Sequence, residues 1–417
     1  MGRWVLAALA GAVLACGPRG GSPVELRFWA MGREGEVLPE LLEGFERENP
    51  DIRVRVQQLP WLSAHEKLLT AFAGDATPDL CQLGNSWIPE LAALDALADL
   101  TRLAAGSATV TQEDFFPGVW DTNVVDGRVL GVPWYVDTRL MFYRRDLLAR
   151  AGFSSPPTTW DEWRQAMGRI KELVGPENYA VLLPLNEYEP LQILALQRHS
   201  EMLRDGGRYG NFRDPDIAEA FRFYAEIFER GWAPKSTNTE ISNVWQEFGN
   251  GFFSFYITGP WNIGEFKRRL PPEKQSIWMT APMPGPDGPG ASMAGGASLV
   301  IFERSRHQAE AWRLIEYLSR PEVEVRFHQI TGNLPPRLST WEHPVLAEEE
   351  YARAFRQQLE RVRSLPKVPE WERIATQVRL TAERLVEGRT TVEQAVADLD
   401  RIVDRILEKR RFLLEQS

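Results

Sequence analysis

Cysteine is nearly absent from this chain: Cys16 and Cys81 are the only two in 417 residues. That excludes a disulfide framework and leaves two readings of Cys81. It is either a bridge to Cys16 or a small buried hydrophobe between Leu80 and Leu83, and its apolar neighbours favour the second. Basic charge is also short. Lys and Arg number 48 against 58 Asp and Glu, a net charge of −10. No stretch concentrates enough cation to neutralise phosphates, which argues against a nucleic-acid partner. The run Lys409-Arg410-Arg411 ends the last expected helix, where cations complement the helix dipole. After the N-terminal segment no apolar run approaches a membrane span. The patterns GxGxxG, P-loop, HExxH, CxxC, GxSxG and EF-hand are missing. The five histidines (His65, His199, His307, His328, His343) have no metal-ligand spacing, so neither a metal nor a cofactor is expected. A carboxylate pair for glycoside hydrolysis has no local signature, and that reading stays open.

What the chain has in excess is aromatic surface: 11% of residues, with 15 tryptophans. A length of this order predicts two domains or more. At the N-terminus, Arg3 precedes an apolar run over residues 4–14, too short to span a bilayer, which reads as a targeting segment. Val13-Leu14-Ala15-Cys16 resembles a bacterial lipoprotein box, with Cys16 the lipidated residue; an ordinary signal peptide cut nearby is the alternative. Residues 17–23, rich in Gly, Pro and Ser, read as a tether.

Apolar alternation predicts strands at 24–29, 52–56 and 80–83, with helices at 37–48 and 63–73 between them and a loop over 31–36. Ser63-Ala64-His65-Glu66 reads as a capping box. This succession implies parallel strands joined by helical crossovers, with ligands beyond the strands' C-terminal ends. Residues 130–145, L-G-V-P-W-Y-V-D-T-R-L-M-F-Y-R-R, begin as the second arm of a hairpin turned by Asp126-Gly127, and Pro133 is expected to end its pairing. Trp134, Tyr135, Asp137 and Thr138 follow, then a fresh buried strand. The stretch reads as a crossing from one packed body into another; an ordinary hairpin filling a core is the plainer alternative. The second body has helices at 160–173, capped by Thr159-Trp160-Asp161-Glu162, and at 191–198 and 216–230. Its strands are 179–183 and 252–257, the latter ending in Gly259-Pro260-Trp261. Ala294-Gly295-Gly296-Ala297 leads into a strand at 298–302 and reads as a second crossing, back to the first body. Ser305-Arg306-His307-Gln308 is expected to cap the next helix, and the tail reads as amphipathic helices broken near 366–369 and Gly388.

Rings and short polar groups recur beyond the strand ends: Trp29 and Glu34; Asn85 and Trp87; Trp134, Tyr135 and Asp137; Asn186 and Glu187; Trp261; Arg337. Singly, each has a structural reading of at least equal weight. A Trp is often core, Glu34 suits a helix N-terminus, and Asn186 suits a cap. Together they are the mixture a sugar needs, flat rings for its C–H faces and donors with acceptors for its hydroxyls.

The segments F-E-R-E-N-P-D-I-R-V, A-T-P-D-L, L-G-V-P-W-Y-V-D-T-R-L-M-F-Y-R, P-T-T-W-D-E-W, G-P-W, A-G-G-A-S-L-V-I-F, A-W-R-L-I-E-Y-L-S-R-P-E and T-G-N-L-P-P-R run through most of the chain in this order. With them the chain resembles the extracellular solute-binding proteins of bacterial carbohydrate-uptake ABC transporters, the maltose- and trehalose-binding-like group. The resemblance implies an α/β, two-lobed periplasmic-binding-protein fold with a hinge and a ligand cleft between the lobes. Residues 1–23 would be signal and tether, 24–130 plus 295–345 the N-terminal lobe, and 131–294 plus 346–417 the C-terminal lobe. It implies a non-enzymatic monomer, lipid-anchored outside the cell membrane, that closes on a neutral sugar of glucose type and presents it to ABC permease subunits. Carried over residue by residue, Glu34, Asn85, Trp87, Tyr135 and Asp137 would contact the sugar, Trp261 would stack on it, and Gly296 would be a close-approach glycine. Trp134, Asn186 and Arg337 complete the expected site. Ala297, where some disaccharide binders of the group carry Trp, and Leu365-Pro366-Lys367, where some carry Arg-Pro, leave the sugar's size open. Two other readings stand beside this one. One is an exported glycan-acting enzyme with Glu34 and Asp137 as paired carboxylates. The other is a binder of an anion such as glycerol phosphate, against which the aromatic recurrence weighs.

Overall fold

The computed structural model describes residues 23–416. Strand β1, Val24–Met31, pairs in parallel along its length with β2, Ile52–Leu59, and near its C-terminal end with β3, Leu80–Gly84. Helices Gly32–Glu48 and Trp61–Ala73 make the crossovers. The first buries Leu38, Leu41, Leu42 and Phe45, one face at helical spacing. This is the expected β-α-β-α-β order. Strands β4, Val124–Val125, and β5, Arg128–Val129, form a hairpin whose turn holds Asp126 and Gly127 at φ 50° and 74°. Strand β6, Val132–Asp137, then lies at the edge of the first sheet.

After Thr138 and Arg139 the chain enters a second sheet through β7, Leu140–Arg144. That sheet also holds β8, Tyr179–Leu182; further along the chain a small ribbon pairs β9, Leu203–Arg204, with β10, Tyr209–Gly210. With β11, Phe253–Thr258, and β12, Trp278–Ala281, the order is β12-β7-β11-β8. Helices Trp160–Val174 and Pro215–Glu229 cover it, and Trp160 stacks on Phe223 with ring centroids 4.7 Å apart. The capping box at Thr159 and Glu162 forms as expected.

Strand β13, Ser292–Met293, precedes the return, and β14, Gly295–Ile301, inserts antiparallel between β3 and β6. The first sheet is therefore β2-β1-β3-β14-β6. A third crossing lies between Thr340, whose hydroxyl donates to Glu324 of helix Pro321–Thr331 at 2.6 Å, and Tyr351, whose carbonyl accepts from Thr280 of β12 at 2.7 Å. Strand β15, Val362–Arg363, pairs with β13, and helices Trp371–Val386 and Val392–Ile406 close the second lobe. Among the described residues no helix is long and apolar enough to cross a membrane.

Several local expectations are corrected. The first crossing follows Asp137, not residue 130, because β6 stays paired with β14. Pro133 does not end that pairing. It sits opposite Ser298 on an edge strand beside a register shift, where a missing N–H is tolerated. Residues 32–36 are helix rather than loop, which puts Glu34 in a first helical turn. The second helix starts at Trp61 behind an extended Pro60, so Ser63 lies inside it and caps nothing. Ser305 likewise caps no helix: its hydroxyl donates to Asp79 at 2.8 Å, and the helix begins at Gln308. Cys81 is buried and free, its thiol pushed up by burial and donating to the Gln82 carbonyl. Cys16 and the targeting segment lie outside the described residues.

Candidate functional site

The C-terminal ends of β1, β3 and β6 open onto a cleft of about 670 Å³ that runs between the two lobes. Its first-lobe wall is aromatic. Trp87 follows β3 and lies on Gly84, where a Cβ would come within 3.3 Å of the ring. Trp61 meets Trp87 edge-on at 5.7 Å, and His65, bonded to Glu90 at 2.7 Å, lies 5.0 Å from the same ring. Leu62 projects beside them, fully exposed. Glu34 is the carboxylate of this wall that lines the cleft. It is 9% exposed, and its Oε1 accepts from Asn333 Nδ2 at 2.6 Å.

The floor is the β6–β14 pairing. Gly296 has φ +126°, and a Cβ there would fall 2.2 Å from the Tyr135 carbonyl oxygen, so only glycine lets the strands approach this closely. Tyr135 is buried, and its hydroxyl accepts from Gln82 Nε2 at 3.0 Å. Burial, with the charges of Glu34 and Asp137, holds its phenol well above the usual range. Asn85 is tied to the second crossing, its Nδ2 donating to the Ala294 carbonyl at 3.0 Å.

The far side is ionic. Arg139, 13% exposed, donates from Nη1 to Asp137 Oδ1 at 3.0 Å and from Nη2 to Glu189 Oε1 at 2.8 Å. Its guanidinium carbon lies 4.5 Å from the centroid of the Trp261 ring. Trp261 opens a helix after β11 and folds back over Gly259, where any Cβ would meet the ring at 1.9 Å; the side chain is 39% exposed. Burial raises the Asp137 carboxyl above its ordinary value, Arg139 opposes that, and the charges of Glu189 and Glu34 add to it.

Of the ten expected site residues, Glu34, Asn85, Trp87, Tyr135, Asp137, Trp261 and Gly296 line this one cleft. Three do not. Trp134 is 2% exposed and stacks on Phe327 at 4.5 Å, so it is core. Asn186 spends both ends of its amide on Asn238, joining two loops. Arg337 is 6% exposed and consumed by Asp114 and the Ser319 carbonyl within the first lobe. Sequence reasoning missed Arg139, Tyr188, Glu189, Met293 and Asn333 as lining residues, and Leu62 at the rim. Trp61 was within reach, since it follows β2 as Trp87 follows β3. A second cavity of about 640 Å³ lies behind the crossings, lined among others by Asp121, His199, Lys367 and Arg410. Among the described residues no Trp, Tyr or Phe faces it, which makes it the poorer candidate.

A family model for bacterial extracellular solute-binding proteins matches residues 30–325. The chain belongs to that family. The solved structure of the sugar-binding protein MalE from Xanthomonas citri is similar to this solute-binding protein at 55% sequence identity and a TM-score of 0.92, covering 94% of this chain and 100% of the other. The GacH receptor of Streptomyces glaucescens shares the fold at 22% identity and a TM-score of 0.80, covering 93% and 99%. The diacetylchitobiose binding protein DasA of Streptomyces coelicolor is 25% identical over 315 residues, 74% of this chain and 72% of its own.

Proposed function

We propose that this solute-binding protein captures a neutral saccharide in the interlobe cleft and presents it to the permease subunits of an ABC importer. The observation that carries the reading is the composition of the cleft: indole rings on both sides, Trp61 and Trp87 against Trp261, with carboxylate, amide and hydroxyl groups between them. A sugar ring needs both kinds of surface. Arg139, the one cation among the described lining residues, is already committed to two carboxylates, which disfavours an anionic ligand such as glycerol phosphate. Glu34 has an amide partner in Asn333 rather than a free approach to Asp137, which supports a binding role over hydrolysis. The sugar-binding relatives point the same way.

The lobes rotate about the three crossings and close on the ligand. The mature chain is a monomer held to the outer face of the membrane by a lipid on Cys16. Intact-mass analysis of protein from native membranes checks the lipid: an acyl mass on an N-terminal Cys16 supports it, and a different, unacylated N-terminus overturns it. A thermal-shift screen against mono-, di- and trisaccharides tests capture itself. A ligand at about 100 times its dissociation constant adds roughly 2.7 kcal/mol of stability. If no saccharide moves the melting curve, the reading fails.

A further inference from the structure

Arg139 stands where three segments meet. It lies in the first crossing, its guanidinium joins Asp137 at the end of β6 to Glu189 at the start of helix Glu189–Leu196, and the same group lies on the Trp261 ring. Its carbonyl accepts from Ser292 of β13 at 2.6 Å, which ties the first crossing to the second. Only a planar guanidinium can hold two carboxylates in its plane and present a face to an indole at once; an ammonium makes point contacts. Asp137 uses Oδ1 on Arg139 and is one-third exposed, so its second oxygen is the one left to a ligand.

We propose that Arg139 is a positioning residue of the cleft, fixing the Asp137 carboxylate and the Trp261 ring as one pre-assembled unit of acceptor and platform. The proposal rests on the capture reading above and adds to it which residue sets the charge and aim of the acceptor. The groups that face Asp137 come from every neighbouring element: Glu34 from the first-lobe helix, Tyr135 from its own strand, Glu187, Tyr188 and Glu189 from the second lobe, and Arg139 itself. Three of these are acidic and one is basic, so the guanidinium is the one charged group among them that favours the ionised carboxylate.

The test is a 13C NMR titration of the Asp137 carboxyl carbon in the full mature chain, its signal assigned with Asp137→Asn. Arg139→Gln should move the midpoint upward by about one pH unit or more, the size a neighbouring opposite charge supplies. Glu189→Gln should move it downward, because a repelling charge is gone while Arg139 remains. Arg139→Lys should fall between wild type and Arg139→Gln. A residue that only braces the fold would not give opposite shifts. Coincident midpoints, or shifts of one sign, overturn the proposal. If Arg139→Gln does not fold, Glu189→Gln alone decides, and a wild-type midpoint there overturns it. Titration of the same variants with the saccharide panel keeps the two readings apart. Opposite midpoint shifts in a chain that binds no saccharide remove capture and leave Arg139 in control of Asp137. Saccharide binding with coincident midpoints removes the role of Arg139 and leaves capture.

Discussion

The two sides of the cleft are built differently. The first-lobe wall is a cluster of rings, Trp61, Trp87 and His65, propped on one another and on Gly84, with Glu34 set behind them against Asn333. The opposite side is a chain of charges, Asp137, Arg139 and Glu189, that carries a single ring, Trp261, on its guanidinium. Rings present a surface that tolerates sliding, whereas a hydrogen bond to a charged group is directional and contributes more per contact, about 1.5–3 kcal/mol. The first wall should therefore hold a sugar's faces, and the second should choose its hydroxyl pattern.

This contrast can be broken by substitution. The largest effect is expected behind the floor, in Trp134. Truncation to alanine removes a ring stacked on Phe327 and should cost about 3–5 kcal/mol of stability, read by chemical denaturation, while affinity per folded molecule stays near wild type. Next comes Trp261→Ala, which should weaken saccharide binding more than about tenfold in calorimetry with little change in melting temperature, since the side chain is 39% exposed. Asp137→Asn keeps an acceptor but loses the charge, and should cost roughly tenfold, equivalent to about 1.4 kcal/mol. The smallest effect is expected on the ring wall: Trp61→Ala should cost about fivefold, because Trp87 remains to carry the sugar face. If Trp61→Ala costs more than Asp137→Asn, the assignment of surface to one side and selection to the other is inverted.

The fold was legible where its signals are local. Alternating strands and one-faced helices announced the first sheet, and Thr159 with Glu162 announced a capping box that forms. Tyr135, Asp137 and Trp261 were legible as cleft residues because a strand end and a Gly-Pro turn place them. What stayed hidden depends on partners distant in the chain. Trp134 and Tyr135 are adjacent and aromatic, and only the helix bearing Phe327 makes the first of them core. Arg337 looked free in a loop, yet its partner Asp114 lies 223 residues away. Arg139, between Thr138 and Leu140, carried no signal of its own in the sequence, because Glu189 and Trp261 reach it only through the fold. The short strand β15 was invisible, because two residues carry no periodicity and its partner β13 is equally short.

The proposed capture holds one saccharide between the ring wall and the charged side. Its most direct test is calorimetric titration of wild type, Trp61→Ala and Trp261→Ala with the saccharide that raises the wild-type melting temperature most. The account predicts one site per chain, weaker binding in both variants, a greater loss in Trp261→Ala, and melting temperatures close to wild type. Wild-type affinity in either variant, or a loss of affinity that only follows a lowered melting temperature, would contradict it.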